Sequence, residues 1–170
     1  MRHFAFAIAV LSATPALGCG NPLLRAMLFA RVPEAQQVFD ADTAARRAGT
    51  LHGRVFNPSN PGTDYHRWSM IWLDGAANTL NASIVSGLAE GESITILLAD
   101  EVAAMRFQSG AAPTVISAAG LNFADGFDAI TTINALESGL NYGLSAAQMI
   151  DQGVLVTTGA RPNLIIENLF

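Results

Sequence analysis

The run Ser93-Ile-Thr-Ile-Leu-Leu-Ala99 is the most strand-like segment of this chain, and it dictates that the fold contain a sheet. β-Branched and apolar residues follow one another there with a turn segment, Gly87 to Glu92, on the N-terminal side. That pattern reads as a strand, and its neighbours extend the pattern. Ala103–Phe107 and Thr114–Ser117 are further strand candidates, divided by the turn pair Ser109-Gly110. Upstream, Thr50–Phe56 reads as a strand, followed by Asn57-Pro-Ser-Asn-Pro-Gly-Thr-Asp64, a loop dense in turn formers. Arg67–Leu73 alternates, with Trp68, Met70 and Trp72 on one side, and predicts a half-buried strand ending at the Asp74-Gly75 turn. Leu80–Val85 is a weaker strand candidate. Strands in this hairpin-like succession favour antiparallel pairing.

Helical signals flank the strand-rich region. Asn21-Pro22 offers an N-cap and a proline at the first helical position, and Leu23, Leu24, Met27 and Leu28 follow on one face. A second helix is predicted from Pro33, with Val38 and Phe39 on its apolar side. Glu34, Gln37, Arg46 and Arg47 form its wet side, and Gly49 is its stop. These two segments read either as a packed helical hairpin or as a tether. In the last third, Asp125 or Asp128 is expected to cap a helix that turns Phe127, Ile130, Ile133 and Leu136 inward. Ser145 with Gln148 forms a capping box, with Leu144 and Met149 placed as a hydrophobic staple. Gly153 closes that short helix, Val154–Thr157 leaves it as a strand, and Asn163–Leu169 is expected to be the last strand. The expected architecture is a single α+β domain, a mainly antiparallel sheet with helices packed on one face.

Composition narrows the function. Net charge is −5 and only 14% of residues are charged, while 51% are hydrophobic, which argues for a packed domain over disorder. Lysine is absent and Arg46-Arg47 is the only basic pair, so nucleic-acid binding has no electrostatic footprint. No segment past the N-terminus carries 18 uninterrupted apolar residues, so no span of a membrane is expected there.

The N-terminal segment reads as an address. Arg2 precedes an apolar stretch of about 14 residues ending at Leu17, too short for a hydrocarbon core that needs about 20. Pro15 breaks the stretch, and Ala16-Leu17-Gly18 supplies small residues where a signal peptidase cuts. The end of this segment, Gly18-Cys19, resembles the signal of bacterial lipoproteins, in which the cysteine thiol is acylated and becomes the new N-terminus. It departs from the usual pattern in that Ala16 holds the place Leu normally takes. The resemblance implies an outer-membrane anchor facing the periplasm, since Gly20 and not Asp follows the cysteine. Ordinary signal peptidase would cut the same bond and leave Cys19 free in a periplasmic or secreted protein. Cys19 is the only cysteine, so it has no internal disulfide partner, and acylation would remove a reactive thiol. The expected organisation is a signal peptide at 1–18, an N-terminal helical segment or tether at 19–49, and an α+β domain at 50–170.

Candidate sites are few. His52, Asp64 and His66 could supply three ligands to a metal with an open position, or an acid-oriented general base. Ser69 or Ser59 with His66 and Asp64 could be assembled as a triad, without the Gly-x-Ser-x-Gly turn that would position it. Tyr65, Trp68 and Trp72 form the one aromatic concentration and are the candidate ligand-binding residues. Paired acids at Asp40/Asp42, Glu90/Glu92, Asp100/Glu101 and Asp125/Asp128 read as solvated turns and caps, with Asp125-Gly-Phe-Asp128 the best calcium candidate. No cofactor is expected. The sequence therefore predicts an exported, membrane-anchored, non-catalytic lipoprotein that binds a protein or small-molecule partner in the cell envelope. The alternative is a small secreted hydrolase using His66 and Asp64, with or without a metal.

Overall fold

The structure, a computed structural model, describes residues 22–52 and 63–170, and only the backbone of residues 63–66. The described elements are α1 (Pro22–Arg31), α2 (Pro33–Ala48), α3 (Thr63–Ser86), β1 (Ser93–Leu98), β2 (Ala103–Gln108), β3 (Thr114–Ile116), β4 (Ala129–Thr131), α4 (Ile133–Tyr142), α5 (Ala146–Asp151), β5 (Val156–Thr157) and α6 (Pro162–Asn168). The five strands form one sheet in the order β3-β2-β1-β4-β5. Every pairing is antiparallel except β1 with β4, which run parallel with Ile96 opposite Ala129 and Leu98 opposite Thr131. This is the expected α+β domain with a mainly antiparallel sheet.

β1 is central and buried on both faces, so its side chains divide between two cores. Ile94, Ile96 and Leu98 point to a core shared with Met105 and Phe107 of β2, Leu73, Leu80 and Ile84 of α3, Leu136 of α4 and Met149 of α5. Leu97, Ala99, Val102 and Ile130 point the other way, onto Leu28 and Val32 of the α1 segment and Ala35 and Val38 of α2. Each fully buried Leu, Ile or Phe contributes about 1.5–3 kcal/mol of transfer free energy, so both layers are strongly held. Helices therefore cover the sheet on both sides: α3 to α6 pack on one face, and the N-terminal pair, expected on the same face as the C-terminal helices, takes the opposite one. The 19–49 segment from Pro22 onward is thus a packed layer of the domain. The link from β3 to β4 crosses that second face and lays Leu121, Phe123 and Phe127 on it.

Where a strand-like alternation spans only a few residues, a longer helical spacing or tertiary burial decides the structure. The stretch 67–73 is helix, as is 80–85, because both belong to α3. Trp68, Met70 and Trp72 alternate over only five residues, whereas Ser69, Leu73, Ala76, Ala77, Leu80 and Ile84 hold a helical spacing over four turns and are all buried. Gly75, read as a turn, sits inside this helix and lines its surface. Asn163–Leu169 also folds as a helix, α6, with Pro162 in its first turn and Ile165 and Leu169 buried one turn apart. Asp125 and Asp128 cap no helix. The Asp128 carboxylate instead accepts from the Thr95 backbone N–H at 2.8 Å, tying the start of β4 to β1. The helix with Ile133 and Leu136 does form, starting four residues later with Thr132 as its N-cap, after β4 has taken Ile130. Residues 50–52 are not strand, and the remainder of the expected 50–56 strand lies outside the described residues.

Several local signals are realised as read. Gly49 takes a left-handed conformation (φ 72°) and ends α2. The capping box of Ser145 and Gln148 is present in both directions.

Candidate functional site

The parallel pair β1 and β4 ends at Leu98 and Thr131, where the Ala99 N–H still reaches the Thr131 carbonyl at 2.8 Å. Immediately beyond these ends lies the main polar cluster of the described residues. The β1–β2 turn supplies Asp100 and Glu101, α2 supplies Asp42, and the start of α4 supplies Thr132 and Asn134.

Asp42 is fully buried and joins three elements. Its carboxylate accepts from Thr132 Oγ1 at 2.7 Å, from Asn134 Nδ2 at 3.3 Å and from Arg46 Nε at 2.7 Å. Thr132 in turn caps α4 by accepting from the Ala135 N–H at 3.1 Å. Both Asp100 carboxylate oxygens lie 3.1 Å from the Ile133 N–H, the first amide of α4, where the helix dipole favours an anion. Arg25 of α1 donates to the Asp100 carbonyl at 3.3 Å. Ser69 of α3 donates to Glu101 Oε1 at 3.4 Å, with both residues buried. One polar cluster thus ties α1, α2, α3, α4 and the β1–β2 turn together.

The electrostatics of this cluster are tense. Burial, then the neighbouring Glu101 carboxylate, push the Asp100 carboxyl up to about 7, against the opposing pull of the Ile133 N–H; Asp42 adds to the rise. Val102, next in the turn, is the only non-glycine residue among those described with a positive φ (51°). A β-branched residue there costs about 1–3 kcal/mol, offset by burying its side chain in the second core.

Asp42, Asp100 and Glu101 were expected as solvated acids, and they are not. The signal was present for Asp42. Ala35, Val38, Asp42 and Ala45 fall on one helical stripe, and all four are buried. Glu92 does behave as a turn acid. The Ala89 N–H and Arg161 hold its carboxyl below the usual range, at 2.8 Å and 2.6 Å. Asp125 accepts from Asn122 Nδ2 in an exposed turn.

The aromatic candidates have a different setting from the one expected. Trp68 and Trp72 do share a side, but as i and i+4 positions of α3. Trp68 is 54% exposed, with Ile71 beside it at 62%. Trp72 is half-buried against the first core and borders an open groove of about 340 Å³ between α3 and α4, lined also by Gly75, Ala76, Thr79, Leu140 and Asn141. The side chain of Tyr65 lies outside the described residues.

His52 is exposed, and its imidazole stacks on Tyr142 at 4.3 Å between ring centroids. Its backbone N–H donates to Ser138 Oγ at 3.2 Å, and the Ser138 hydroxyl lies 3.1 Å from the His52 carbonyl. The side chains of Asp64 and His66, and all of Ser59 and Cys19, lie outside the described residues. Ser69, the other candidate nucleophile, is buried with its hydroxyl on Glu101. Among the described residues no group of three His, Cys, Asp or Glu side chains could hold a metal ion, and no helix is long and apolar enough to cross a membrane.

The fold and cluster define a three-layer α+β domain whose inner acids are committed to joining its layers. Compared with known protein families, curated proteins and solved structures, the chain finds no match.

Proposed function

We propose that this chain is an exported, non-catalytic binding or accessory protein of the cell envelope, held to a membrane by acylation of Cys19. The observation that carries the reading is Gly18-Cys19 at the end of a short apolar stretch that begins after Arg2. A sole cysteine at that place is consistent with a lipid attachment point, and several acyl chains anchor stably where one does not. The internal use of Asp42, Asp100 and Glu101 supports a structural role for the acids best placed to do chemistry. The Trp72 groove, open and lined by both apolar and polar side chains, is the candidate surface for a small ligand among the described residues. At about 340 Å³ it lies at the lower end of the volumes that small-molecule sites use.

The test is fractionation of cells expressing the full chain. Wild type is expected in the membrane fraction, carrying a lipid-modified N-terminal peptide by mass spectrometry, and Cys19→Ala in the soluble exported fraction. Equal partitioning of the two proteins overturns the anchor.

A further inference from the structure

The outer side of α1 differs from that of the helix it packs on. Its solvent-facing stripe is Pro22, Leu23, Ala26, Met27 and Ala30, with Leu23 63% and Met27 40% exposed. α2 turns Gln36, Gln37, Asp40 and Arg47 outward instead. α1 has no acidic residue in a chain of net charge −5, and of its two arginines Arg31 is exposed while Arg25 is turned inward onto the Asp100 carbonyl and the Phe39 ring. Its inner side is fixed, with Leu28 buried in the second core and Leu24 and Phe29 packed against it. The helix cannot roll to hide the stripe without giving up that packing.

We propose that α1 lies on the surface of the membrane to which Cys19 is attached, with Leu23 and Met27 entering the boundary between headgroups and acyl chains. The proposal rests on the acylation of Cys19 proposed above. Cys19 precedes Pro22 by three residues, which span at most about 11 Å when fully extended. The first turn of α1 is therefore never farther than that from the lipid interface, whatever the orientation of the domain. An interfacial helix sinks its apolar side about 5–10 Å into that boundary, so the reach and the depth match. Two large side chains bind lipid weakly on their own. The anchor makes the contact intramolecular, at an effective concentration in the millimolar range, where a weak contact is populated. Arg31, exposed at the end of α1, holds its guanidinium 5.9 Å from the Phe123 ring centre, at the margin of the stripe where headgroup phosphates would lie. Docked in this way, the domain holds its second core toward the bilayer. The Trp72 groove, formed by helices on the other side of the sheet, stays on the aqueous side.

The experiment uses the full, acylated chain, in which Cys19 has no free thiol, so that a cysteine introduced elsewhere takes a nitroxide label alone. Leu23→Cys, Met27→Cys and, on the exposed side of α2, Gln36→Cys are labelled and reconstituted into vesicles of phosphatidylethanolamine with a minority of phosphatidylglycerol. Electron paramagnetic resonance is expected to show positions 23 and 27 losing collisions with a water-soluble nickel chelate and gaining collisions with oxygen, while position 36 stays aqueous. If the protein floats with the vesicles and positions 23 and 27 are as open to the chelate as position 36, the docking is wrong and the anchor stands. Spin–spin broadening at 23 and 27 would place a second copy on the stripe and also overturn the proposal. A wild-type chain that fails to float and carries no lipid by mass removes the anchor, and the docking with it. All three positions are exposed, so labelling leaves the core intact.

Discussion

Asp42→Ala is expected to lower the unfolding free energy by about 3 kcal/mol, the lower end of what removing one partner of a buried ion pair costs. The lower end applies because Arg46 is 42% exposed and recovers water when its partner is lost. The larger part of the cost falls on Thr132 and Asn134. Thr132 is fully buried and loses the acceptor for its hydroxyl, and each such orphaned group costs about 1–3 kcal/mol. Asp42→Asn keeps an oxygen toward Thr132 and is expected to cost less than half as much. A domain of this size has about 5–15 kcal/mol to lose, so the alanine variant should melt well below wild type while keeping a cooperative transition. Urea denaturation followed by circular dichroism measures both. A loss under about 1 kcal/mol for Asp42→Ala would mean that the cluster does not join α2 to α4. A double-mutant cycle with Thr132→Val isolates the pair, and a coupling near zero would carry the same meaning.

The residue that dominates this cluster shows where sequence patterns inform and where they mislead. β1 is legible because a β-branched and apolar run, bounded by turns, has few other ways to be satisfied. The α5 capping box is legible because both partners lie within four residues. α3 is misread because its five-residue alternation of Trp68, Met70 and Trp72 is compatible with a strand, and only the spacing through Ile84, read across Gly75, decides for a helix. α6 is misread because Leu164-Ile165-Ile166 has strand character; Pro162 is a local helix-start signal, while the burial of Ile165 and Leu169 acts through the tertiary context. Helices on both faces follow from the apolar C-terminal half of β1: Leu97 and Ala99, beyond Ser93 and Thr95 on the same side, need cover as much as Ile96 and Leu98 do. The cluster itself joins positions 42, 69, 100 and 132 through the fold, and no spacing in the chain announces that. Only the buried stripe of α2 through Asp42, and the two acids set directly against the end of an apolar strand, point toward it.

Asp100 should make the domain more stable in mild acid than at neutrality, the reverse of the usual carboxylate effect. Its folded-state pKa is about 7 against an ordinary value of 3.8, so the folded chain holds a proton that the unfolded chain has released. Stability from this group therefore falls as pH rises from about 4 to about 7 and levels off above that, by an amount on the order of 4 kcal/mol. Glu92 acts in the opposite sense, since its lowered pKa means its contribution is lost as pH falls through the acid range. Asp100→Asn separates the two. The amide oxygen still accepts from the Ile133 N–H, but the charge facing Glu101 and Asp42 is gone. The variant is expected to match wild type at pH 4, to exceed it at pH 8, and to lose the downward slope between them. Calorimetric Tm values across that range provide the check, and parallel curves for the two proteins would show that Asp100 is ionised at little cost in the fold. Asp42→Asn supplies an independent test, because removing a like charge should lower the Asp100 pKa and shift the fall in stability toward acid. The two substitutions therefore act on one titration from two elements. If the shift appears, α2 and the β1–β2 turn are coupled electrostatically as well as by hydrogen bonds, and the acids at the strand ends govern how firmly the layer carrying α1 is held.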